Sequence, residues 1–183
     1  MNERSIQLAI LADIRSSIVC ACPNYTPLNW WECDLWAVNK SGRWREYEIK
    51  VSVADFKNDC KKSEKHWDKP EERKHDLLAA RSVRGPSQFY YAVPESIADQ
   101  IMPILPEWAG LIVAHPYEGY RLDCWVSISK RAPTLAVTKT STREIRLAQR
   151  RMWYRYWESL RQIQGLTSRS APSTENAIAG DAA

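Results

Sequence analysis

Two stretches of this chain make sense only as neighbours. Residues 30–38 read WWECDLWAV and residues 44–53 read WREYEIKVSV. In the second, Tyr47, Ile49, Val51 and Val53 alternate with polar positions, the period of a half-buried strand. Asn39-Lys40-Ser41-Gly42-Arg43 separates the two, and Gly42 suits the left-handed position of a three-residue hairpin loop. A β-hairpin is therefore expected, and its register follows from its loop. With Asn39 facing Arg43, paired residue numbers sum to 82. Asp34 then stands opposite Glu48, and Glu32 opposite Lys50.

Other elements are read around this hairpin. Ile6, Ile10, Ile14 and Ile18 recur at four-residue steps, which predicts a helix over residues 3–19, followed by a loop between Pro23 and Pro27. Ser52-x-x-Asp55 is a capping signal, so a helix is expected from about residue 53 to Pro70, with a second helical piece over 71–83. Strands are expected at 87–93, 108–114 and 120–129, with a short helix from Pro94 to Met102. A long helix is expected over 141–164. From Gly165 the composition turns to Ser, Thr, Ala, Gly and Asn, which predicts a disordered tail over 165–183. The order makes residues 1–164 one mixed α/β domain, a central β-sheet flanked by helices. A chain of 183 residues is long enough to bury a real core.

The five cysteines are odd in number and no signal peptide precedes them, which predicts free thiols and a cytoplasmic protein. Cys20-Ala-Cys22 lacks the spacing and the second ligand pair of a zinc site. No stretch approaches the ~20 apolar residues of a membrane span. A net charge of +4 suits a polyanionic partner without demanding one.

The chemistry gathers on one face of the hairpin. Residues two apart in a strand share a face, so Glu32 and Asp34 lie together, as do Glu46, Glu48 and Lys50. Across the register, Glu32, Asp34 and Glu48 converge with Lys50. Carboxylates this close repel unless a cation sits between them. Mg²⁺ suits them, because it takes hard oxygen ligands and is commonly held by one or two carboxylates plus substrate phosphate. Lys50 can then orient a water or neutralise charge developing on phosphate. The plain alternative is a cross-strand ion pair on a wet sheet face. Against it stand the apolar neighbours Trp31, Leu35, Trp36, Ile49 and Val51, which predict that this face is partly enclosed.

Asp34, thirteen residues, then Glu48-Ile49-Lys50 resembles the signature of the PD-(D/E)XK nuclease superfamily. The wider string ECDLWAV…EYEIKVSVADFKND resembles more narrowly the MmcB-like group of bacterial and phage proteins linked to DNA repair. That likeness implies a restriction-endonuclease-like core and Mg²⁺-dependent hydrolysis of phosphodiester bonds in DNA, with Mn²⁺ able to substitute. By position it makes Asp34, Glu48 and the main-chain carbonyl of Ile49 metal ligands, and Lys50 the catalytic lysine. Two departures stand out: Cys33 replaces the proline before Asp34, and the N-terminal helix offers only Glu3 as a further acid. Glu32 is the better extra acid, as a second metal ligand or as partner of Lys50. RNA as substrate and a homodimer remain open. So does a nuclease fold without catalysis that binds nucleic acid or a protein.

Lys57, Lys61 and Lys65 follow four-residue spacing and are expected on one helix face just after the site. The resemblance implies substrate contact for Lys65 and His66. His75 is either an aid to proton transfer or a surface residue. In the last helix, Trp153 and Trp157 share a face among Arg143, Arg146, Arg150, Arg151 and Arg155. The preferred reading has the tryptophans docking that helix on the core while the arginines stay in water.

Overall fold

The hairpin forms, and the sheet is built outward from it. The computed structural model describes residues 1–61, 65–66, 69–118 and 122–165. Strands β2 (Cys33–Asn39) and β3 (Trp44–Ile49) pair antiparallel as Leu35↔Tyr47, Trp36↔Glu46, Ala37↔Arg45 and Val38↔Trp44. Every pair sums to 82, and Gly42 takes φ 80° in the loop. Register and turn thus agree, as they must when both strand faces are buried and a one-residue slip would exchange them.

β1 (Ile18–Tyr25) lies outside β2 and pairs with it antiparallel. On the other side β6 (Gln88–Pro94) pairs parallel with β3, and β7 (Ala109–Pro116) parallel with β6; β8 (Cys124–Lys130) returns antiparallel. The order is β1-β2-β3-β6-β7-β8, a mixed six-stranded sheet. Parallel neighbours need crossovers. From β3 to β6 the chain passes through α2 (Val53–Lys61), a two-stranded ribbon of β4 (Lys65–His66) and β5 (Lys69–Arg73), and α3 (Lys74–Ala79). From β6 to β7 it passes through α4 (Glu95–Ile101) and a 3-10 turn, Met102–Ile104.

Helices cover both faces. α1 (Glu3–Ile14) sets Ile6, Ala9, Ile10 and Ile14 against Leu35, Tyr47, Ile49 and Tyr90. The opposite face receives Phe56 of α2, Leu78 of α3, Ile101 of α4 and Ala148 of α5 (Thr142–Ile163) around Trp36, Phe89 and Tyr91. This is the expected α/β class. Among the described residues, no helix is long and apolar enough to cross a membrane.

Three expectations fail on element boundaries. The first helix stops at Ile14, and Ile18 opens β1, which occupies the segment expected to be a loop. Four apolar residues at helical spacing continue the pattern by coincidence; Cys20 and Cys22 show the two-residue period of the strand, and Tyr25 joins them in the core three residues on, after Asn24 takes φ 46°. The second helix ends at Lys61 rather than Pro70, and residues 69–73 form a strand where a helical piece was expected. Cys20, Cys22, Cys33 and Cys124 are free and buried. The tail over 166–183 lies outside the described residues.

β1 is an edge strand, yet its outer backbone is not bare. Pro23 lacks an N–H, and the Arg155 guanidinium of α5 donates to the carbonyls of both Pro23 and Asn24. Gly110 in β7 marks the tightest approach in the sheet: an added Cβ would meet the Tyr90 ring at 2.5 Å and the Ala132 main-chain nitrogen at 2.6 Å. Because one of these is backbone, Gly110→Ala is expected to destabilise by about 1–3 kcal/mol, measured by chemical denaturation. An unchanged midpoint would mean that the irregular segment after β8 yields freely.

Candidate active site

The sheet brings its charged face together at one end. Asp34 opens β2, and Glu48 and Ile49 close β3, so they meet where the parallel strands β3 and β6 present their carboxyl ends. Open α/β sheets commonly bind ligands there. The Ile49 main-chain N–H donates to Asp34 Oδ2 at 2.7 Å, which fixes the carboxylate across the strand pair. Gln7 of α1 donates to the Asp34 carbonyl oxygen at 3.0 Å and to Glu3 Oε1 at 3.0 Å, tying the first helix to the site.

Glu48 is held from two sides. Lys50 Nζ lies 2.8 Å from Glu48 Oε1 and 3.0 Å from Asp59 Oδ1. Lys74 Nζ lies 3.0 Å from Glu48 Oε2 and 2.5 Å from Glu46 Oε1, the latter an ion contact without hydrogen-bond alignment. Trp30 Nε1 donates to the other Glu46 oxygen at 2.8 Å. Asp59 Oδ2 accepts from the Tyr91 hydroxyl at 3.2 Å and faces His75 Nε2 at 3.4 Å. Glu46, Glu48 and Lys50 are all buried.

These distances decide the protonation tendencies. Burial pushes the Asp34 carboxyl up to about 7, with the Glu48 charge adding to it and the Ile49 N–H opposing. Burial also raises Glu48, but Lys74 and Lys50 outweigh it and hold the carboxyl below its usual range. Desolvation would lower Lys50 and Lys74, yet the facing carboxylates keep both raised and charged. Glu46, fully enclosed, is raised by burial despite Lys74. Asp59 is lowered, since His75 and Lys50 overcome its burial.

Charge in the cluster does not balance. Asp34, Glu46, Glu48 and Asp59 face two ammonium groups, Lys50 and Lys74. Among the described residues the four carboxyl groups outnumber the two ammonium groups, and the raised Asp34 and Glu46 are the first to relieve that excess by holding a proton. Asp34 is the carboxylate of the cluster that pairs with neither lysine among the described residues. A hard divalent cation would draw on Asp34 and the Ile49 carbonyl, and would reach Glu48 only by displacing a lysine. Among the described residues, no three His, Cys, Asp or Glu side chains form a ready cage. One reason is visible: both Glu48 oxygens are already occupied by lysines.

Some expected site residues stand elsewhere. Glu32 lies outside β2 and is exposed, while Lys50 is paired with Glu48 and Asp59. The hairpin ladder gives way before residue 32, so the expected Glu32–Lys50 partnership does not form. Lys57 is exposed on α2. Lys65 and His66 lie in β4 rather than on that helix, so the shared lysine face does not exist; the side chains of Lys61, Lys65 and His66 lie outside the described residues. Asp59, Lys74 and Tyr91 enter unannounced, while His75, read as an aid to proton transfer or a surface residue, stands beside Asp59. Asp59 had a signal, being three residues after buried Phe56 on the same face of α2. Lys74 had none, since it sits in a basic run that looks solvated.

No family model matches this sequence, and no curated protein matches it. Among solved structures, a protein of unknown function from Silicibacter pomeroyi is similar in fold, with TM-score 0.56 and 15% identity. The match covers 94% of this chain and 98% of that one.

Proposed function

We propose that this protein is a Mg²⁺-dependent nuclease of the PD-(D/E)XK kind that hydrolyses phosphodiester bonds in DNA, with a role in repair, recombination or phage genome processing. The observation that carries the reading is geometric: Asp34 is tied across the strand pair to Ile49 and faces Glu48-x-Lys50 at the carboxyl ends of the parallel strands. Asp34, Glu48 and the Ile49 carbonyl would hold the metal, which supplies Lewis-acid polarisation of the phosphate and a more acidic bound water. Lys50 stays charged and answers negative charge developing on phosphate. Asp59 holds the Lys50 ammonium in place, and His75 and Tyr91 hold Asp59. Glu46 and Lys74 lock Glu48 from behind.

A second reading has a specific observation behind it. With both Glu48 oxygens paired to lysines, the cluster is a self-contained ion network, as in a fold that binds nucleic acid or a protein without cutting. One panel separates the two: single-stranded, duplex and branched DNA and RNA, with Mg²⁺ or Mn²⁺, wild type beside Lys50→Ala. Metal-dependent cleavage that falls at least a hundredfold in Lys50→Ala, in protein whose circular dichroism is unchanged, is the expected result. If wild type cuts nothing in either metal, the enzyme reading is lost.

A further inference from the structure

The last helix turns its tryptophans outward. α5 docks through buried Glu144 and Ala148, with Ile145 and Met152 packed against the same core. Glu144 accepts from the Tyr25 hydroxyl at 2.5 Å, and Arg155 clamps the backbone of β1. Trp153 and Trp157, expected to dock this helix, are instead 59% and 45% exposed. At 100° per residue, Arg143, Arg146, Arg150, Trp153, Tyr154 and Trp157 fall on the face opposite Glu144 and Ala148. The two indoles meet edge-to-face at 5.5 Å, and the Arg150 guanidinium lies 5.6 Å from the Tyr154 ring centre. Tyr156 continues the aromatic run 5.6 Å from Trp157 and lines a groove of about 710 Å³ between α1, β1 and α5. Gln7, which bonds the Asp34 carbonyl, lines the same groove.

We propose that this face of α5 binds a single strand of nucleic acid, its bases stacking on Trp153 and Trp157 and its phosphates held by Arg143, Arg146 and Arg150. A strand presents one base and one phosphate per step, and this surface interleaves rings with guanidinium groups on one face. A membrane-surface helix instead separates its apolar face from its charged one. A second copy would set arginines against arginines. The inference deepens the nuclease reading by naming the strand form engaged, but α5 alone carries it.

The test is fluorescence anisotropy with a labelled oligo(dT) strand of about 20 nucleotides, in EDTA so that nothing is cut. Trp153→Ala with Trp157→Ala is expected to weaken binding about 10–100-fold, and the paired Phe variants to restore most of it. Replacing Arg143, Arg146 and Arg150 by Ala should lower the slope of log affinity against log salt by about 2. A duplex of the same length should bind at least tenfold more weakly. Four results overturn the proposal: binding undiminished in the paired Trp→Ala variant; duplex bound as tightly; a wild-type dimer in sedimentation that those variants dissolve; or capture by phosphatidylserine vesicles with no oligonucleotide binding. Strand binding without cleavage in any metal sinks the nuclease reading alone. Cleavage of single strands untouched by the Trp variants sinks this one alone.

Discussion

Lys74→Met is expected to cost about 3–5 kcal/mol of stability, the loss that follows when one partner of a buried ion pair is removed. For a chain of this size that lowers the melting midpoint by roughly 10 °C. The methionine fills much of the lysine's volume, so packing contributes little to the loss. What remains is electrostatic: Glu46 Oε1 and Glu48 Oε2 both face a missing ammonium. Glu46 is fully buried and keeps only the Trp30 N–H, so it can recover only by taking a proton. The defect should therefore be larger at pH 8 than at pH 5. Adding Glu46→Gln to Lys74→Met removes one stranded charge and should return a substantial part of the stability, read as the coupling in a double-mutant cycle. A loss below about 1 kcal/mol would mean that water reaches Lys74 and the cluster is a surface network.

Asp34→Asn is expected to have opposite effects on activity and stability. Metal-dependent cleavage should fall by about a thousandfold or more, since polarisation by the ion is worth several kcal/mol and its anionic ligand is gone. The amide oxygen still accepts from the Ile49 N–H, so the strand pair keeps its tie. Stability should move the other way. The Asp34 carboxyl is raised from 3.8 to about 7 in the folded protein. Between those values the native state holds a proton that the unfolded chain has lost, so stability falls as pH rises through that window. Asparagine has no proton to lose. The metal-free variant should therefore outlast metal-free wild type in thermal melts at pH 8, with the difference vanishing near pH 4. Mg²⁺ should raise the wild-type midpoint at pH 8 and leave the variant's alone. A variant less stable than wild type at pH 8 would show that Asp34 is not strained by its surroundings.

The hairpin was legible because two local constraints agreed. Gly42 set the loop and the alternation set the faces, so Asp34 and Glu48 could be paired before any coordinates. Glu32 failed three residues beyond the last ladder pair and just outside β2, where register reasoning assumes a strand that the backbone does not continue. Lys50's true partner, Asp59, arrives from α2, and Lys74 from α3 after a crossover. Such contacts depend on how helices lie across the sheet, which neither periodicity nor spacing encodes. Ile18 misled for a related reason. A stripe at four-residue steps reads as one helix until the two-residue spacing of Cys20 and Cys22 is given more weight. Trp153 and Trp157 were misplaced because large aromatic rings are core residues by habit, and only the docked helix reveals which side they take.

The clasp of Arg155 on β1 bears on how copies of this chain can associate. An open strand edge is a template for another strand, and chains with such edges dimerise or aggregate by extending their sheets. Here the outer edge of β1 offers proline at residue 23, and the next two carbonyls are already taken by a guanidinium from the same molecule. Sheet extension at that end would require α5 to let go first. Releasing Arg155 would turn a closed margin into an adhesive one, so one side chain on the final helix guards the protein against growing into its neighbours.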